Sequence, residues 1–392
     1  MENVIKTITE CVKFELYADN SGNNDQSNRI ILPDTSARFL SALYGLSKKH
    51  DIDHLVGDAL IKNGLIENGD IKSKFQNEIF MAVYRYEQLT FSLNQICNVL
   101  EEAKIPFIPL KGSVIRQYYP EPWMRTSCDV DILVHEKDLE KVSSLLTEKL
   151  SYQEDGKGSH DITFYTPSGM HIELHYDLIE KNINVKSEQP LHNVWGYTYA
   201  KPNSTHYYMV DEMFYYYHVA HMAKHFVIGG CGVRPFIDIW VLNHRIPYNS
   251  EKRKQLLIDG GLFLFERASV RLSEVWFSGA ELDETTKLMQ DYILQGGVYG
   301  NVANRVAVQQ QKRGGKVRYI ISRIFLPYSV LKFHYSILQK HKWLFPFMEI
   351  RRWFKLIFKG GLNRSTNEMK INRTMSAEKQ AETAKMMEQL GL

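Results

Sequence analysis

The chain has 392 residues, is 44% hydrophobic and 24% charged, and carries a formal net charge of +3 at pH 7. These values are typical of a globular protein of two or three domains, and they give no sign of a general nucleic-acid binder or of a membrane-spanning segment. The four cysteines lack disulfide or metal-binding spacing and the first residues lack a signal segment, so a cytoplasmic location is expected.

Residues 1–103 are predicted to form an N-terminal helical region. Apolar residues recur at helical spacing over 1–19, 36–50, 52–63 and 73–103, and the polar segment 19–27 is predicted to be a loop. No residue of this region suggests chemistry. Its expected role is to support the fold or to form one wall of an acceptor pocket.

A turn of small residues, Lys111-Gly112-Ser113, follows the apolar run 105–110 and is predicted to open a helix over 112–119. Unpaired backbone N–H groups at a helix start carry positive partial charge and can hold phosphate. Gly112 would let a phosphate approach closely, and Ser113 would add a hydroxyl donor. Lys111 would neutralise phosphate charge or, as an alternative, would be a surface lysine packed along the strand.

Asp129 and Asp131 stand at the start of the next apolar run, 132–134. Alternate residues of a strand share a face, so the two carboxylates point the same way while Val130 points into a core. They repel each other unless a cation lies between them, and their oxygens suit Mg²⁺. Arg125 would reach a phosphate or hold the aspartates through a charge-assisted hydrogen bond.

Two apolar runs around the turn residues 167–169 predict a hairpin over 160–177, after a helix over 138–150 and a polar loop over 152–159. On the second strand, Glu173 and His175 share a face. If this strand lies beside the aspartate strand, Glu173 completes a group of three carboxylates. His175 would orient a carboxylate, contact the acceptor, or act as a structural hydrogen-bond donor.

This order of motifs resembles the polymerase-β-like nucleotidyltransferase superfamily, and more closely a bacterial branch of uncharacterised nucleotidyltransferases. The motifs expected of that branch read here as Leu110-Lys111-Gly112, Tyr119-Pro120, Arg125, Asp129-Val130-Asp131-Ile132-Leu133-Val134 and Glu173-Leu174-His175. The resemblance extends over about 41–357. It implies an α+β fold, with a small mixed β-sheet nucleotidyltransferase core over 104–210 between N-terminal and C-terminal helical regions.

The resemblance also implies an enzyme that moves an NMP group from an NTP to an acceptor hydroxyl and releases pyrophosphate. Asp129, Asp131 and Glu173 would be catalytic and would bind Mg²⁺ or Mn²⁺. The residues expected to bind the NTP are Lys111, Gly112, Ser113 and Arg125. The acceptor, the preferred base and the oligomeric state stay open. The alternative is a non-catalytic protein of the same fold that acts at a membrane surface or a polyanion.

The helical region 211–310 begins with a helix for which Asp211 is the expected N-cap. On this helix His218, His221 and His225 fall on one face. They would line the nucleotide or acceptor cleft, bind zinc as in a metal-dependent hydrolase, or be buried and hydrogen-bonded.

Arg234 and Asp238 lie at the start of the following helix, where Pro235 suits the first helical position. They would pair with each other or with the histidines, and they are candidates for the substrate cleft. Residues 250–310 are predicted to be helical with breaks, and the glycine-rich segment 296–300 is predicted to be a tight turn between helices.

The region 311–360 combines basic and aromatic residues. Within 312–359, twelve lysines and arginines accompany a single acid, Glu349. Basic helices with Trp and Phe on their apolar side suit an anionic membrane surface or a polyanion, so peripheral membrane contact is one expectation. The alternative is that the apolar faces pack on the body and the basic faces are solvated. Residues 361–392 are predicted to be a mobile tail with a short helix, and no clear nucleic-acid motif is present.

Overall fold

The structure is a computed structural model, and it describes residues 1–17, 30–67, 69–179, 186–358 and 362–392. The predicted loop at 19–27 lies outside the described residues.

Four helices form the N-terminal region, as predicted. They are α1 (Glu2–Leu16), α2 (Ala37–Lys49), α3 (Asp53–Lys62) and α4 (Asp70–Glu102). The apolar stripe of α1 is buried in the main core, and Ser36 caps α2 by accepting a hydrogen bond from the Phe39 backbone N–H.

A five-stranded mixed sheet follows. Its strands are β1 (Phe107–Pro109), β2 (Asp129–Val134), β3 (Gln153–Lys157), β4 (Asp161–Tyr165) and β5 (His171–His175), in the order β1-β2-β5-β4-β3. The β2–β5 pair is parallel, and the other neighbours are antiparallel. The predicted α+β fold is therefore confirmed.

The prediction of a loop over 152–159 is wrong, because most of this segment forms the edge strand β3. All five side chains of β3 are exposed, so the segment has no apolar alternation for sequence analysis to detect. The strand is held by backbone pairing with β4.

Two short helices connect these strands. The helix predicted over 112–119 is shorter than expected, because α5 covers only Gly112–Ile115 before a 3₁₀ turn at Arg116–Tyr118. Tyr119 precedes a proline and is extended, which ends the helix. The helix α6 (Leu139–Leu150) lies between β2 and β3 and confirms the helix predicted over 138–150.

One face of the sheet packs on α4 and α6. Val130, Ile132, Ile172 and Leu174 are buried there together with Leu146. Because strand residues alternate, the opposite face of β2 and β5 carries their acidic residues and histidines.

A hairpin of β6 (Thr198–Ala200) and β7 (Tyr207–Met209) leads into the predicted helical region. Its helices are α7 (Asp211–Ile228), α8 (Arg234–Arg245), α9 (Ser250–Asp259), α10 (Phe263–Phe277), α11 (Glu284–Gln295) and α12 (Val302–Arg313).

Two helix starts differ by one residue from expectation. Val210 is the N-cap of α7 instead of Asp211, which is its first helical residue and still meets the positive end of the helix dipole. Pro235 is the second residue of α8 instead of the first. The segment 296–300 joins α11 to α12 in a tight turn, as predicted.

The described residues of the C-terminal part are mostly helical. Its helices are α13 (Lys316–Ile324), α14 (Tyr328–His334), α15 (Ile337–Lys340), α16 (Phe345–Phe358), α17 (Leu362–Thr374) and α18 (Ala377–Leu390). Where a mobile tail was expected, α17 and α18 pack against α12, with Met386, Met387 and Leu390 fully buried. Within the described residues, no helix is both long enough and apolar enough to cross a bilayer.

Candidate active site

The parallel pairing of β2 with β5 brings the predicted carboxylates together. Asp131 lies opposite Glu173 in the register, and Asp129 lies opposite His171. Ligand atoms of Asp131, Glu173 and His175 lie within 4.8 Å of one another, as do those of Asp129, His171 and Glu173. Glu173 belongs to both groups. We call Asp129, Asp131 and Glu173 together the acidic face.

Lys111 reaches into this acidic face. Its Nζ lies 2.7 Å from Asp131 Oδ1 and 3.6 Å from Glu173 Oε2, and its side chain is only 22% exposed. The structure therefore places Lys111 among the carboxylates and not on the open surface. One ammonium group balances part of the charge of three neighbouring acids.

The backbone of Lys111 adopts a conformation that suits glycine. Its φ is 44° and its ψ is −121°, and the turn is closed by a hydrogen bond from the Ser113 N–H to the Leu110 carbonyl oxygen at 3.1 Å. These angles belong to the first central residue of a type II′ turn, where glycine dominates. A side chain at such a position costs about 1–3 kcal/mol, so its persistence points to function.

The two aspartates differ in their electrostatics. Burial raises the pKa of Asp131, but Lys111 and the hydrogen bond from His175 outweigh it and hold that pKa below its usual range. Burial and then the neighbouring charge of Asp131 raise the pKa of Asp129. Asp131 is therefore the member of the pair that favours the ionised form, while Asp129 binds a proton more readily.

His175 orients Asp131. Its side chain is 4% exposed, and its Nε2 lies 2.9 Å from Asp131 Oδ1 and 3.3 Å from Glu173 Oε2. Because an ionised carboxylate only accepts hydrogen bonds, Nε2 is the donor. Burial lowers the pKa of His175, but the bonds to Asp131 and Glu173 outweigh burial and raise it. The geometry matches the expected role of orienting a carboxylate.

Gly112 packs the turn against the segment that precedes β2. A Cβ on Gly112 would lie 3.1 Å from both the Cβ and the Oγ of Ser127. Arg116 clamps the same contact, because its Nε donates to the Gly112 carbonyl oxygen and its Nη2 donates to Ser127 Oγ, both at 2.7 Å. The four-residue α5 has a weaker dipole than the predicted helix would have, so the prediction that this turn binds phosphate rests more on the charge of Lys111.

Arg125 forms an ion pair with Asp238, a buried residue of α8. Its Nε lies 2.9 Å from Asp238 Oδ1 and its Nη2 lies 2.9 Å from Asp238 Oδ2, while the Tyr119 hydroxyl donates to Oδ1 at 2.6 Å. Asp238 is fully buried. Burial raises its pKa, but the charge of Arg125 outweighs burial, so the pKa lies below its usual value. The expected bond from Arg125 to the β2 aspartates is not the one observed.

Arg234 does not pair with Asp238, contrary to one expectation. It pairs instead with Asp51, which follows α2 and also accepts a hydrogen bond from Thr126 Oγ1 at 2.8 Å. The N-terminal helices, the segment before β2 and α8 are therefore joined through Asp51, a residue that the sequence did not single out.

The helix α7 lies close to the acidic face. Burial raises the pKa of Tyr217 and lowers that of His221. The charge of Lys111 lowers both pKa values and the charge of Asp131 raises both, so both side chains lie within electrostatic reach of the acidic face. Tyr217 was not predicted as a site residue, although its spacing of four from His221 places both on one side of the helix.

The three predicted histidines do not form a metal site. His221 Nε2 lies 3.2 Å from His225 Nε2, whereas His218 Nε2 lies 3.2 Å from the Pro235 carbonyl oxygen. Among the residues described, no group of three ligand atoms includes a histidine of α7. The zinc alternative therefore lacks its ligand set, and a role for His221 in lining the cleft stays a prediction.

His171 is a possible metal ligand that was not predicted from the sequence. It lies on the same strand face as Glu173 and beside Asp129, with 29% of its side chain exposed. The period of two along β5 was a sufficient signal to include it.

Comparisons with known proteins support the assignment made from the motifs. Residues 38–278 match a family model described as an uncharacterised nucleotidyltransferase. The match includes α3, α4, the five-stranded sheet and the helices α7 to α10, and it ends before the basic and aromatic region. No curated protein and no solved structure matches the chain.

Proposed function

The chain belongs to the uncharacterised nucleotidyltransferase family, and from that premise we propose that it moves an NMP group from an NTP to an acceptor hydroxyl with release of pyrophosphate, using Mg²⁺ or Mn²⁺. The observation that carries the proposal is the register that sets Glu173 beside Asp131. Like charges held this close destabilise a fold unless a cation is present. A purely structural role would not require three carboxylates to converge from two separate strands.

The side chains of the acidic face fit a divalent cation. Asp129, Asp131 and Glu173 would hold it, with His171 and His175 within reach of the same positions. Carboxylate oxygens suit Mg²⁺ and Mn²⁺, while imidazole nitrogens are also good ligands for other transition metals. When bound, the cation would polarise phosphate oxygens and lower the pKa of the acceptor hydroxyl.

The side chains of the chain itself would share the remaining tasks. Asp131 stays ionised beside Lys111, and His175 fixes its orientation. Glu173, whose side chain is 24% exposed, is proposed to take the proton of the acceptor hydroxyl. The acceptor oxygen forms a bond to the α-phosphorus, the bond from that phosphorus to the bridging oxygen breaks, and pyrophosphate leaves with the electron pair.

Lys111, Gly112 and Ser113 are proposed to bind the triphosphate. For this, the Lys111 ammonium would transfer from Asp131 to a phosphate oxygen, since both are anionic partners at the same place. Arg125 is proposed to act indirectly, because its guanidinium is held by Asp238 while it still adds positive charge near Asp129.

The test uses labelled NTPs, because the acceptor is unknown. The protein is incubated with Mg²⁺, cell extract and each NTP, including ATP, labelled at the α-phosphate or at the γ-phosphate. Relative to extract without the protein, additional label from the α-phosphate should appear on an acceptor, and additional label from the γ-phosphate should not. Label transferred only from the γ-phosphate would mean phosphoryl transfer and would contradict the proposal.

Variants link that activity to the acidic face. Asp129→Ala and Asp131→Ala should each reduce pyrophosphate release by at least about a thousandfold, since the residual rate would lack electrostatic stabilisation of the transition state. Asp155→Ala, which removes an exposed carboxylate from the edge strand β3, should leave turnover unchanged. Turnover that survives in both acidic-face variants would defeat the assignment.

One observation favours the second candidate, a non-catalytic binding protein of the same fold. The Lys111 ammonium already neutralises Asp131, as it would in a fold that has no need of a metal. That candidate predicts no divalent cation binding at the acidic face and no transfer of label from any NTP.

A further inference from the structure

The helix α16 exposes an apolar stripe. The stripe consists of Phe347, Ile350, Phe354 and Phe358 on the helix and of Trp343, which precedes it; each side chain is between 54% and 77% exposed. The four helical members recur at a spacing that places them on one side of α16. Trp343 contacts Phe347 with ring centroids 6.3 Å apart, and Phe354 stacks on Phe358 at 6.1 Å. Contiguous apolar surface of this kind is unusual on a soluble monomer and marks an interaction site.

The other side of α16 is the one that packs on the protein. Glu349 is 7% exposed, and its Oε1 accepts a hydrogen bond from the Leu326 backbone N–H at 2.7 Å. Its Oε2 accepts from Arg352 Nε at 2.9 Å. The helix is therefore anchored through the face opposite the stripe, and the stripe is left outward.

The surroundings of the stripe are positively charged. Arg351 and Lys355 are exposed and flank it on the helix, and Lys342 precedes Trp343. From 312 to 358 the sequence holds only one acid, Glu349, and that acid is buried and paired with Arg352. The surface thus combines aromatic side chains with an uncompensated positive rim.

We propose that this stripe is a peripheral membrane-binding surface for bilayers that contain anionic lipids. The aromatic rings would enter the boundary between headgroups and acyl chains, and the Lys and Arg side chains would meet the lipid charge. A second copy of the chain is a poorer occupant, because two positive rims would face each other. A soluble polyanion would leave five exposed apolar side chains unused. The inference is independent of the nucleotidyltransferase activity.

The test measures co-sedimentation of the full-length protein with vesicles of phosphatidylcholine alone or of phosphatidylcholine with phosphatidylserine. We expect binding to the anionic vesicles, little binding to the neutral ones, and weaker binding as salt rises from about 0.1 M to about 1 M. The variant Arg351→Glu/Lys355→Glu should bind at least about thirtyfold more weakly. The variant Phe347→Ser/Ile350→Ser/Phe354→Ser should bind at least about tenfold more weakly.

The long helix α4 supplies a matched control. Phe80, Tyr84 and Phe91 are also exposed and share a side of α4, but Glu87 lies among them. The variant Phe80→Ser/Phe91→Ser should therefore keep full vesicle binding. Because the substituted side chains on α16 are exposed, the stripe variants should melt at the temperature of the unchanged protein.

Several results would overturn the inference. The unchanged protein could fail to bind anionic vesicles, or the stripe variants could bind as well as it does. A lower melting temperature in the stripe variants would show that the stripe is packed on the protein. A dimer that the stripe variants abolish would identify a second copy as the occupant. Heparin binding that Phe347→Ser/Ile350→Ser/Phe354→Ser retains, in a protein that does not bind vesicles, would identify a polyanion.

Discussion

Lys111 offers a direct test of whether the acidic face is a metal site. Its ammonium lies 2.7 Å from Asp131 Oδ1, and its backbone adopts angles that suit glycine. The variants Lys111→Met and Lys111→Gly both remove the charge, but only the glycine variant relaxes the turn. Comparing them separates the effect of the ion pair from the effect of the backbone.

The expected magnitudes follow from the geometry. Without a divalent cation, removing one partner of so enclosed an ion pair should lower the free energy of unfolding by about 3 kcal/mol in Lys111→Met. In Lys111→Gly the loss should be smaller by about 1 kcal/mol, because glycine adopts a positive φ without strain. The gain is limited because glycine also makes the unfolded chain more flexible.

A divalent cation should offset part of these losses in both variants. Without the competing ammonium, three carboxylates should bind the cation at least about tenfold more tightly, which adds about 1.4 kcal/mol of stabilisation at saturation. The assay is urea unfolding in EDTA and in excess Mg²⁺ or Mn²⁺. Both variants should gain more stability from the cation than the unchanged protein does.

Lys149→Met is the control, since Lys149 pairs with Glu102 at an exposed site and surface pairs contribute little. It should gain as much stability from the cation as the unchanged protein. If the cation stabilises all these proteins equally, or none of them, Lys111 and the cation do not share ligands and the reasoning is refuted.

Three further predictions concern stability, and urea unfolding measures each. Asp238→Asn should lower the free energy of unfolding by about 3–5 kcal/mol, because it leaves the buried guanidinium of Arg125 unpaired. The double variant Arg125→Met/Asp238→Leu should lose less stability, and equal losses in the two variants would contradict this reasoning. Burial lowers the pKa of His50 from 6.5 to about 4. Up to about 3 kcal/mol of the free energy of unfolding, present above pH 6.5, should therefore be lost as the pH falls to about 4. His50→Leu should make this decline with pH less steep. Gly64→Ala should lower the free energy of unfolding by about 1 kcal/mol, and Gly300→Ala should lower it by several times as much. Both glycines have positive φ, but of the two only Gly300 would place a Cβ 2.0 Å from a backbone oxygen.

Local patterns in the sequence were enough to predict the catalytic candidates. The alternation along β2 placed Asp129 and Asp131 on one face, and the turn residues 167–169 predicted the hairpin that carries Glu173. Both signals depend on neighbours in the chain. The parallel pairing of β2 with β5 was only assumed, because nothing local determines which strands become neighbours.

The pairing of charged residues could not be predicted in the same way. Arg125 is bound by Asp238 and Arg234 by Asp51, in each case a partner more than a hundred residues distant. In the sequence, Arg234 and Asp238 look like an i, i+4 pair on one helix. The tertiary structure gives each of them a partner from another element, and the sequence spacing carries no information about those partners.

The exposed strand β3 and the short helix α5 were mispredicted for opposite reasons. β3 buries no side chain, so it left no hydrophobic signal, and its order comes from backbone pairing at the sheet edge. In α5 the apolar and small residues favoured a longer helix, but the proline after Tyr119 holds Tyr119 in an extended conformation, and a 3₁₀ turn separates it from α5.

The parallel β2–β5 pair has a consequence for biosynthesis. A slip of one residue in that alignment would turn Glu173 into the interior and push Leu174 outward, so a molecule cannot keep a sound core with a scrambled set of acids. During translation the aspartates leave the ribosome well before the glutamate does. A nascent chain therefore cannot assemble the acidic face until β5 has emerged and docked, and a truncated product that ends before β5 would carry the two aspartates without Glu173 beside them.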